Sequence, residues 1–298
     1  MSADAALATE PIAPVSRESS RLRLVARRLM HSPLALASFA VLLLAILIAL
    51  LAPVLAPYAP EQTDFSHTLS PPGTPGHLLG SDDLGRDVLS RIMFGMRASL
   101  LVGALSVATA LAIGVPLGLV AGYFRAADAF ISRFTDLLLA FPFLILAVGL
   151  AAIRGASLAN AAVAIGIAQI PGVIRIVRSD TLRLKSLDFV AAAVVDGAGD
   201  VWILLRHILP NAISVILVQA TVAIPAAILG EAVLSFLGLG IQPPEPSLGT
   251  MLASAQQFAV RAPWAAVLPG IAIMLLALAF NVFGDSLRDA LDPKASRR

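Results

Sequence analysis

The chain has 298 residues, of which 58% are hydrophobic and 13% are charged, with a net charge of +2. Soluble domains carry about 25% charged residues, so this composition excludes an ordinary soluble protein and indicates a protein of the lipid bilayer. The chain has no Cys, which excludes a disulfide framework, a thiolate nucleophile and a Cys-based metal site. Neither Lys185 nor Lys294 follows a Gly, so the Gly-Lys pair of a phosphate-binding loop is absent and ATP hydrolysis is not predicted.

Residues 1–32 are predicted to form a tail ahead of the first membrane span. The stretch 1–20 is rich in Ala, Pro and Ser without a periodic apolar face, and is predicted to be disordered. Five Arg residues then precede an apolar run over 33–57. A secretory signal peptide is the competing interpretation, but the run is too long and its end is crowded with Pro. We therefore predict a retained first span at 33–57.

The segment 58–96 is rich in Pro, Gly and polar residues and is predicted to lie outside the membrane. Asp82 or Asp83 is predicted to cap a short helix that ends at Met96 and lies on the membrane surface. Charged side chains crowd the start of this helix, namely Asp82, Asp83, Arg86, Asp87 and Arg91. Their spacing defines no metal site and the interleaved Arg residues favour ion pairs, so no metal site is predicted in the chain.

Five more apolar runs are long enough to cross a bilayer core of about 30 Å as helices. They cover residues 98–124, 137–153, 155–174, 208–230 and 262–284. Four glycines in the first of these runs let a neighbouring helix approach closely: Gly103, Gly114, Gly118 and Gly122. Pro142 is expected to kink the second run. The sequence thus predicts an all-α membrane protein with six spans, five of them forming a core over 97–291, followed by a tail at 292–298.

The basic residues predict the orientation of these spans, because Lys and Arg are enriched on the cytoplasmic side. One side carries Arg17, Arg21, Arg23, Arg27, Arg28, Arg125, Arg133, Arg175, Arg178, Arg183, Lys185, Arg206, Arg288, Lys294, Arg297 and Arg298. The other side carries Arg86, Arg91, Arg97, Arg154 and Arg261. Both termini are therefore predicted to be cytoplasmic. This bias also explains the basic pI without any nucleic-acid partner.

The loop at 179–211, between the fourth and fifth spans, mixes charged with apolar residues and is predicted to be cytoplasmic. Ala191, Ala192 and Ala193 predict a short helix. Gly197 is predicted to end that helix in a left-handed conformation. Residues 201–209 predict a second apolar helix that ends at Pro210.

This loop resembles the "EAA" loop of bacterial binding-protein-dependent ABC importers. Ala192, Ala193, Gly197, Leu209 and Pro210 match the pattern, while Ala191 stands in place of the Glu and His207, before Ile208, in place of the first Ile. Two further stretches, LGSDDLGRDVLSR at 79–91 and LSFLGLGIQPPEPSLG at 234–249, resemble signatures of the dipeptide/oligopeptide/nickel branch of the same family. The C-terminal residues 281–293 resemble it as well, so the likeness extends over nearly the whole chain from Arg27.

The resemblance implies a C-type permease subunit with the type I importer permease fold in the bacterial cytoplasmic membrane. Its partners would be a second homologous permease, two cytoplasmic ATPase subunits and an extracytoplasmic substrate-binding protein. The chain itself would hold no cofactor, since ATP and Mg would be bound by the ATPases. The loop residues Ala191, Ala192, Ala193, Gly197 and 207–210 would carry the motion of the ATPases into the membrane. Dipeptides or oligopeptides are the expected substrates, with nickel, haem or another small solute as alternatives.

Four polar residues inside the spans are candidates for the translocation path or a subunit interface: Glu231, Gln169, Gln219 and Asn281. Hydrogen bonding between helices is the alternative role for each of them. Two other classes of protein remain as alternatives, a homo-oligomeric channel and an intramembrane enzyme. The enzyme would need a catalytic pair within the spans, and the four His residues all lie outside them.

Overall fold

A computed structural model describes residues 17–291 of the chain. Within that range the regular secondary structure is helical, and the extended contacts are two isolated bridges, Thr74 with His77 and Ser81 with Asp87. The α-helices are α1 Arg17–His31, α2 Pro33–Leu55, α3 Val88–Tyr123, α4 Arg125–Leu139, α5 Phe143–Arg154, α6 Leu158–Lys185, α7 Asp188–Val195, α8 Asp200–Ile203, α9 Leu209–Phe236, α10 Leu248–Ala255 and α11 Trp264–Leu291. The all-α prediction is confirmed.

Five helical stretches are long and apolar enough to cross a membrane, namely α2, α3, α6, α8 with α9, and α11. The remaining predicted span, the third in chain order at 137–153, is not one straight helix. It is the pair α4 and α5, bent by 90° at Ala140–Pro142, and the spanning stretches number six if this bent pair is one span. Pro142 has no N–H group and restricts the residue before it, so α4 cannot continue through it. The position of the predicted kink is correct, but the 12 residues of α5 are only about 18 Å long.

Helices α3 and α6 form the most closely packed pair of the bundle. A Cβ atom added at Gly114 or Gly118 would lie 2.7 Å from the Cβ of Val173 or Val177, and one at Gly122 would lie 2.5 Å from that of Thr181. Only glycines on α3 permit this approach, as the sequence predicted for close helix packing. Helix α6 also runs beyond the predicted end of its span at Ile174 and continues to Lys185.

The N-terminal helix α1 begins at Arg17, inside the stretch 1–20 that was predicted to be disordered. An apolar spacing in the sequence, Leu22, Val25 and Leu29, accounts for an amphipathic helix here. The Arg28 guanidinium donates to the backbone carbonyl of Ala290 (3.1 Å), which ties α1 to the last turn of α11. The predicted tails at 1–16 and 292–298 lie outside the described residues.

The segment between α2 and α3 corrects the prediction for residues 82–96. Asp87, and not Asp82 or Asp83, is the N-cap: its Oδ2 accepts from the backbone N–H of Ser90 at 2.8 Å. The helix that starts there does not end at Met96 but continues to Tyr123, because no Pro and no turn signal interrupts it before the apolar run. At 36 residues it is about 54 Å long. The 58–87 segment precedes α3, whereas α7 packs in one apolar cluster with Tyr123 at its last turn, so the two lie at opposite ends of α3.

The stretch after α9 is irregular, as its glycines and prolines predicted. Helix α9 ends at Phe236, and Gly238 has a φ of +76° that suits a residue without Cβ. The chain then turns back into α10, whose start at Ser247 carries a capping box with Thr250.

Candidate functional site: a helix pair at one end of the bundle and the polar groups within it

Helix α7 ends in a Schellman motif built on Gly197. The N–H of Gly197 donates to the carbonyl of Val194 (3.1 Å), and the N–H of Ala198 donates to that of Ala193 (3.0 Å). Gly197 has a φ of +79°, and no atom lies within 4 Å of a Cβ added there. The predicted short helix and its left-handed end are thus present in the structure. The reason for Gly at this position is backbone conformation and not crowding.

The second predicted helix of the loop has a different form. Residues 200–203 are α-helical, and residues 204–208 form a π-helical turn that leads directly into α9. Pro210 does not end a helix. It lies in the first turn of α9, directly after the π-helical turn, and the helix continues through it. The loop therefore consists of the short helix α7, a turn, and the first helical turns of the stretch that continues as α9.

The segment 188–211 contains α7, α8 and the π-helical turn, and we call it the 188–211 helix pair. One face of it packs against the bundle. Val190, Ala193, Ile203, Leu204 and Ile208 are buried in an apolar cluster with residues of α3 and α6. Ala193 and Ile208 were predicted as coupling residues. The structure places their side chains in this packed interior.

The opposite face of the 188–211 helix pair is apolar and exposed. Its exposed side chains are Val194, Val195, Val201, Trp202 and Leu205. Ala191, Ala192, Gly197 and Pro210 of the predicted coupling set are exposed as well. An open depression beside Phe124, lined by residues 199–202 and by Leu205 and Arg206, adjoins this face. Contiguous exposed apolar surface of this kind is typical of a protein–protein contact.

Polar contacts join α8 and the last residue of α6 to the end of α3. The Tyr123 hydroxyl donates to the Asp200 carboxylate (2.8 Å), and Lys185 Nζ donates to the backbone carbonyl of Tyr123 (2.6 Å). On the same end, Arg178 of α6 forms an ion pair with Asp128 of α4. These contacts connect α8 to α3, the helix that packs along α6.

His207 points inward and does not lie on the exposed face. Its ring makes an edge contact with Trp202, with 4.7 Å between the ring centroids. Its Nε2 atom is buried and has no hydrogen-bond partner among residues 17–291. The sequence motif found this residue but gave no indication of the direction of its side chain.

Glu231 is completely buried, with 0% of its surface exposed. Ser99 of α3 donates to Glu231 Oε2 (2.7 Å), and Ser235 of α9 donates to Oε1 (2.7 Å). The Ser235 hydroxyl in turn accepts from the N–H of Ile241 (3.1 Å). The carboxyl group thus joins α3, α9 and the turn that follows α9.

The three amide residues among the candidates are less enclosed. Gln169 Nε2 lies 3.4 Å from the carbonyl of Ala223, and its Oε1 is buried without a partner in the described residues. Asn281 is exposed and donates to Ala277 of its own helix (2.9 Å), and Gln219 is partly buried. No hydrogen bond joins any two of the four candidates within residues 17–291.

A cluster that the sequence analysis missed lies in the 58–87 segment. Asp64, His67 and His77 each place one potential ligand atom within 4.8 Å of the others. Hydrogen bonds from the Ser66 hydroxyl and from His67 to the Asp64 carboxylate lower the pKa of Asp64 to about 2. The three residues have no spacing that recurs as a sequence motif, and only the folded segment brings them together.

Comparison with known proteins identifies the class of this membrane protein. Residues 114–297 match the family described as binding-protein-dependent transport system inner membrane component, and residues 20–72 match the N-terminal TM domain of oligopeptide transport permease C. The fold is that of a permease component of ABC importers, in which the ATPase is a separate subunit. The chain belongs to this family and is a multi-pass protein of the bacterial inner membrane.

Similar proteins carry the comparison further. The chain is 45% identical over 269 residues to the dipeptide transport system permease protein DppC of Alkalihalophilus pseudofirmus, covering 90% of this chain and 88% of that one. It is 45% identical over 291 residues, 97% of each chain, to the glutathione transport system permease protein GsiD of Pectobacterium atrosepticum. A solved inward-facing structure of the MetNI methionine ABC transporter matches with a TM-score of 0.57 and 20% identity, over 69% of this chain and 96% of that chain. That last match supports the fold alone.

Proposed function

We propose that this permease serves an ATP-driven importer of dipeptides or oligopeptides. The relatives at about 45% identity are named for dipeptide and glutathione transport, and glutathione is itself a small peptide. Uptake of a labelled dipeptide by cells that lack their own peptide importers, with and without this chain and its partners, tests the substrate. Competition by excess unlabelled dipeptide is expected, whereas competition by nickel alone would contradict the proposal.

The proposed assembly has one copy of this chain, a second homologous permease, two ATPase subunits and an extracytoplasmic binding protein. The exposed apolar face of the 188–211 helix pair is the observation that carries the proposal. The stretch Asp200–Phe236 has 37 residues, more than the about 20 that a bilayer core needs, so we place its first turns and α7 beyond the membrane. There, uncovered Val, Leu and Trp side chains have no lipid to face. A groove on an ATPase subunit would cover them. Ala191, Ala192, Gly197 and Pro210 would line that contact, while Ala193, His207, Ile208 and Leu209 would support it from inside.

One matched pair of variants tests this contact. Val195 is 86% exposed on the helix pair, and Val260 is 98% exposed near the other end of the bundle. Neither side chain contributes a buried contact whose loss would unfold the chain. We expect Val195→Asp to abolish copurification of the ATPases and Val260→Asp to leave it unchanged. Equal copurification for the two variants would contradict the docking role.

The orientation is also a proposal, with the termini and 179–211 cytoplasmic and 58–96 extracytoplasmic. Because the chain has no Cys, a single introduced Cys reports its own location. Ser186→Cys, on an exposed residue, should react with a membrane-impermeant thiol reagent only after the cells are opened. Ser66→Cys, also exposed, should react in intact cells. Labelling of Ser186→Cys in intact cells would reverse the orientation and remove the proposed ATPase contact.

For the polar residues within the spans, we propose that Glu231 holds helices together rather than lining the translocation path. Its two serine partners and complete burial support this role. Gln169, Gln219 and Asn281 are less enclosed and stay candidates for the path or for the interface with the second permease. A homo-oligomeric channel would need no ATPase, so uptake that continues without the ATPase subunits would favour that alternative.

A further inference from the structure

The cluster of Asp64, His67 and His77 has the composition of a transition-metal site. Imidazole nitrogen and carboxylate oxygen together suit zinc and its neighbours in the first transition row. Zinc bonds of about 2.0–2.2 Å in tetrahedral geometry separate the ligand atoms by about 3.4 Å. The three potential ligand atoms all lie within 4.8 Å of one another, so small side-chain rotations would bring them to this separation.

The surroundings of His77 are those of a metal ligand. Its Nδ1 atom lies 3.1 Å from Asp87 Oδ1, and the imidazole is buried, with 5% of the residue exposed. Asp87 is itself held by the N–H and hydroxyl of Ser90, at 2.8 and 2.7 Å. In protein metal sites the second ring nitrogen of a ligating His commonly donates to such a carboxylate, which fixes the tautomer and orients the free nitrogen. His77 therefore offers Nε2 as its ligand atom.

The other two residues face the same place from the exposed side. The His67 ring is tilted by 57° relative to the His77 ring, with 5.5 Å between the ring centroids. Its Nδ1 lies 2.7 Å from Asp64 Oδ2. Their side chains are 42% and 43% exposed, so an ion reaches them from water. Three protein ligands with one open face are the arrangement in which water completes a four-coordinate zinc ion.

We propose that Asp64, His67 and His77 form a binding site for a divalent transition-metal ion of the zinc class, with Asp87 positioning His77. The site does not depend on the proposed substrate, because it lies outside the spans and at the start of α3. A bound ion would join residues 64–67 to residue 77 and, through Asp87, to the N-cap of α3. It would therefore restrain the 58–87 segment where that segment meets the membrane helices.

The test measures zinc binding by the purified full-length chain, isolated with a tag that contains no histidine and stripped with a chelator. We expect one Zn²⁺ per chain by equilibrium dialysis, and a visible absorption spectrum of four-coordinate Co²⁺ when cobalt replaces zinc. His67→Asn, at a half-exposed side chain, should lose this ion without unfolding the segment. His31→Asn is the matched control, since His31 is exposed and far from the cluster in sequence, and should bind like the unaltered chain.

A second variant tests the positioning role of Asp87. Asn is as good an N-cap as Asp, so Asp87→Asn should keep helix α3 while weakening the orientation of His77. We expect zinc affinity to fall about 10- to 100-fold, the range found for changes behind a metal ligand. Equal zinc binding by the unaltered chain and His67→Asn, or an equal loss in His31→Asn, would overturn the proposal. Since no transport is measured, a failed peptide assay leaves this result unaffected.

Discussion

The two ends of α3 meet regions of opposite character. The 58–87 segment has buried polar and charged residues, among them His77, Ser81, Arg86 and Asp87, each with a partner inside the chain. The 188–211 helix pair instead exposes apolar side chains, with Val195, Val201 and Trp202 uncovered. One region satisfies its polar groups within the chain, and the other leaves apolar side chains uncovered. The difference fits the separate roles that we propose for the two regions.

The cause of the difference lies in the backbone. The 58–87 segment is irregular, so its N–H and carbonyl groups find few helical partners and side chains must supply them. Asp82 Oδ1 accepts from the N–H groups of Leu84 and Arg86, and Ser81 Oγ accepts from that of Ser70. The 188–211 pair is mostly helical and satisfies its own backbone. Its side chains are therefore free to form a contact surface.

The largest effect is expected from removing the central carboxylate of the self-contained region. Asp82 Oδ2 lies 2.7 Å from Arg86 Nε and 3.5 Å from Arg91 Nε, and both arginines are nearly buried. Asp82→Ala leaves two buried cations without this partner, a loss of about 3–5 kcal/mol. Thermal unfolding followed by tryptophan fluorescence measures it, since Trp264 Nε1 donates to the Ser81 carbonyl beside the network.

Asp83→Ala is the control for that measurement. Asp83 is more exposed and lies 3.7 Å from Arg86 Nη2, so its loss should cost at most about 1 kcal/mol. Equal destabilisation by the two changes would show that the 58–87 segment is not organised around Asp82.

The next effect concerns the packing of α3 against α6. Gly118→Ala places a Cβ 2.7 Å from Val177 Cβ and 3.0 Å from the carbonyl of Ile174, so α3 and α6 must move apart. Overpacking of this kind costs about 1–3 kcal/mol. Gly172→Ala, on α6, meets no atom within 4 Å and should be neutral or slightly stabilising. The unfolding temperatures of the two variants test this, and a stable Gly118→Ala protein would argue against a tightly packed α3–α6 pair.

The sequence predicted the features that follow from local chemistry. The apolar runs, the glycines of α3, the left-handed Gly197 and the break at Pro142 all depend on a few neighbouring residues. What it missed depends on contacts distant in the chain. Asp82 and Asp87 are equally good caps by type, but in the folded chain Asp82 bonds Arg86 and Arg91 while Asp87 is the N-cap.

In the candidate sites, too, the sequence indicated local features and missed those that depend on contacts between distant residues. The motif picked out the proposed coupling residues, but the direction of the His207 ring follows from its packing against Trp202. Apolar residues that continue into α9 conceal the π-helical turn at 204–208, because neither a Gly nor a Pro marks it. The pairing of Glu231 with Ser99 joins residues 132 positions apart, and no sequence spacing indicates it.

A smaller effect is expected at the turn of the exposed helix pair. Gly197 and Gly199 both face open space, but their φ angles are +79° and −69°. Ala at Gly197 carries a strain of about 1–2 kcal/mol, whereas Ala at Gly199 adopts the observed φ without strain and loses less than about 1 kcal/mol as an N-cap. We expect Gly197→Ala to keep normal abundance but to transport less substrate per ATP hydrolysed, with Gly199→Ala near normal. Identical coupling ratios would separate this turn from the transmission of motion.

The smallest effect is expected at Glu231, where polar side chains join helices within the bundle as they join the backbone in the 58–87 segment. Glu231→Leu removes the acceptor of both Ser99 and Ser235. Each hydroxyl can turn to a carbonyl one turn earlier in its own helix, which limits the loss. Hydrogen bonds between membrane helices are worth about 0.6 kcal/mol on average and about 1.7 at most. Glu231→Gln keeps an acceptor and adds a donor, so it should retain most of that stability.

Unfolding temperature and peptide uptake, measured together, separate the two roles of Glu231. If the residue holds α3 to α9, Glu231→Leu lowers the unfolding temperature while Glu231→Gln resembles the unaltered chain in both measurements. If the charge of a path-lining carboxylate is what matters, Glu231→Gln loses uptake as fully as Glu231→Leu and neither changes the unfolding temperature. The second pattern would contradict the proposed structural role, and would mean that the buried carboxyl becomes accessible in another state of the transport cycle.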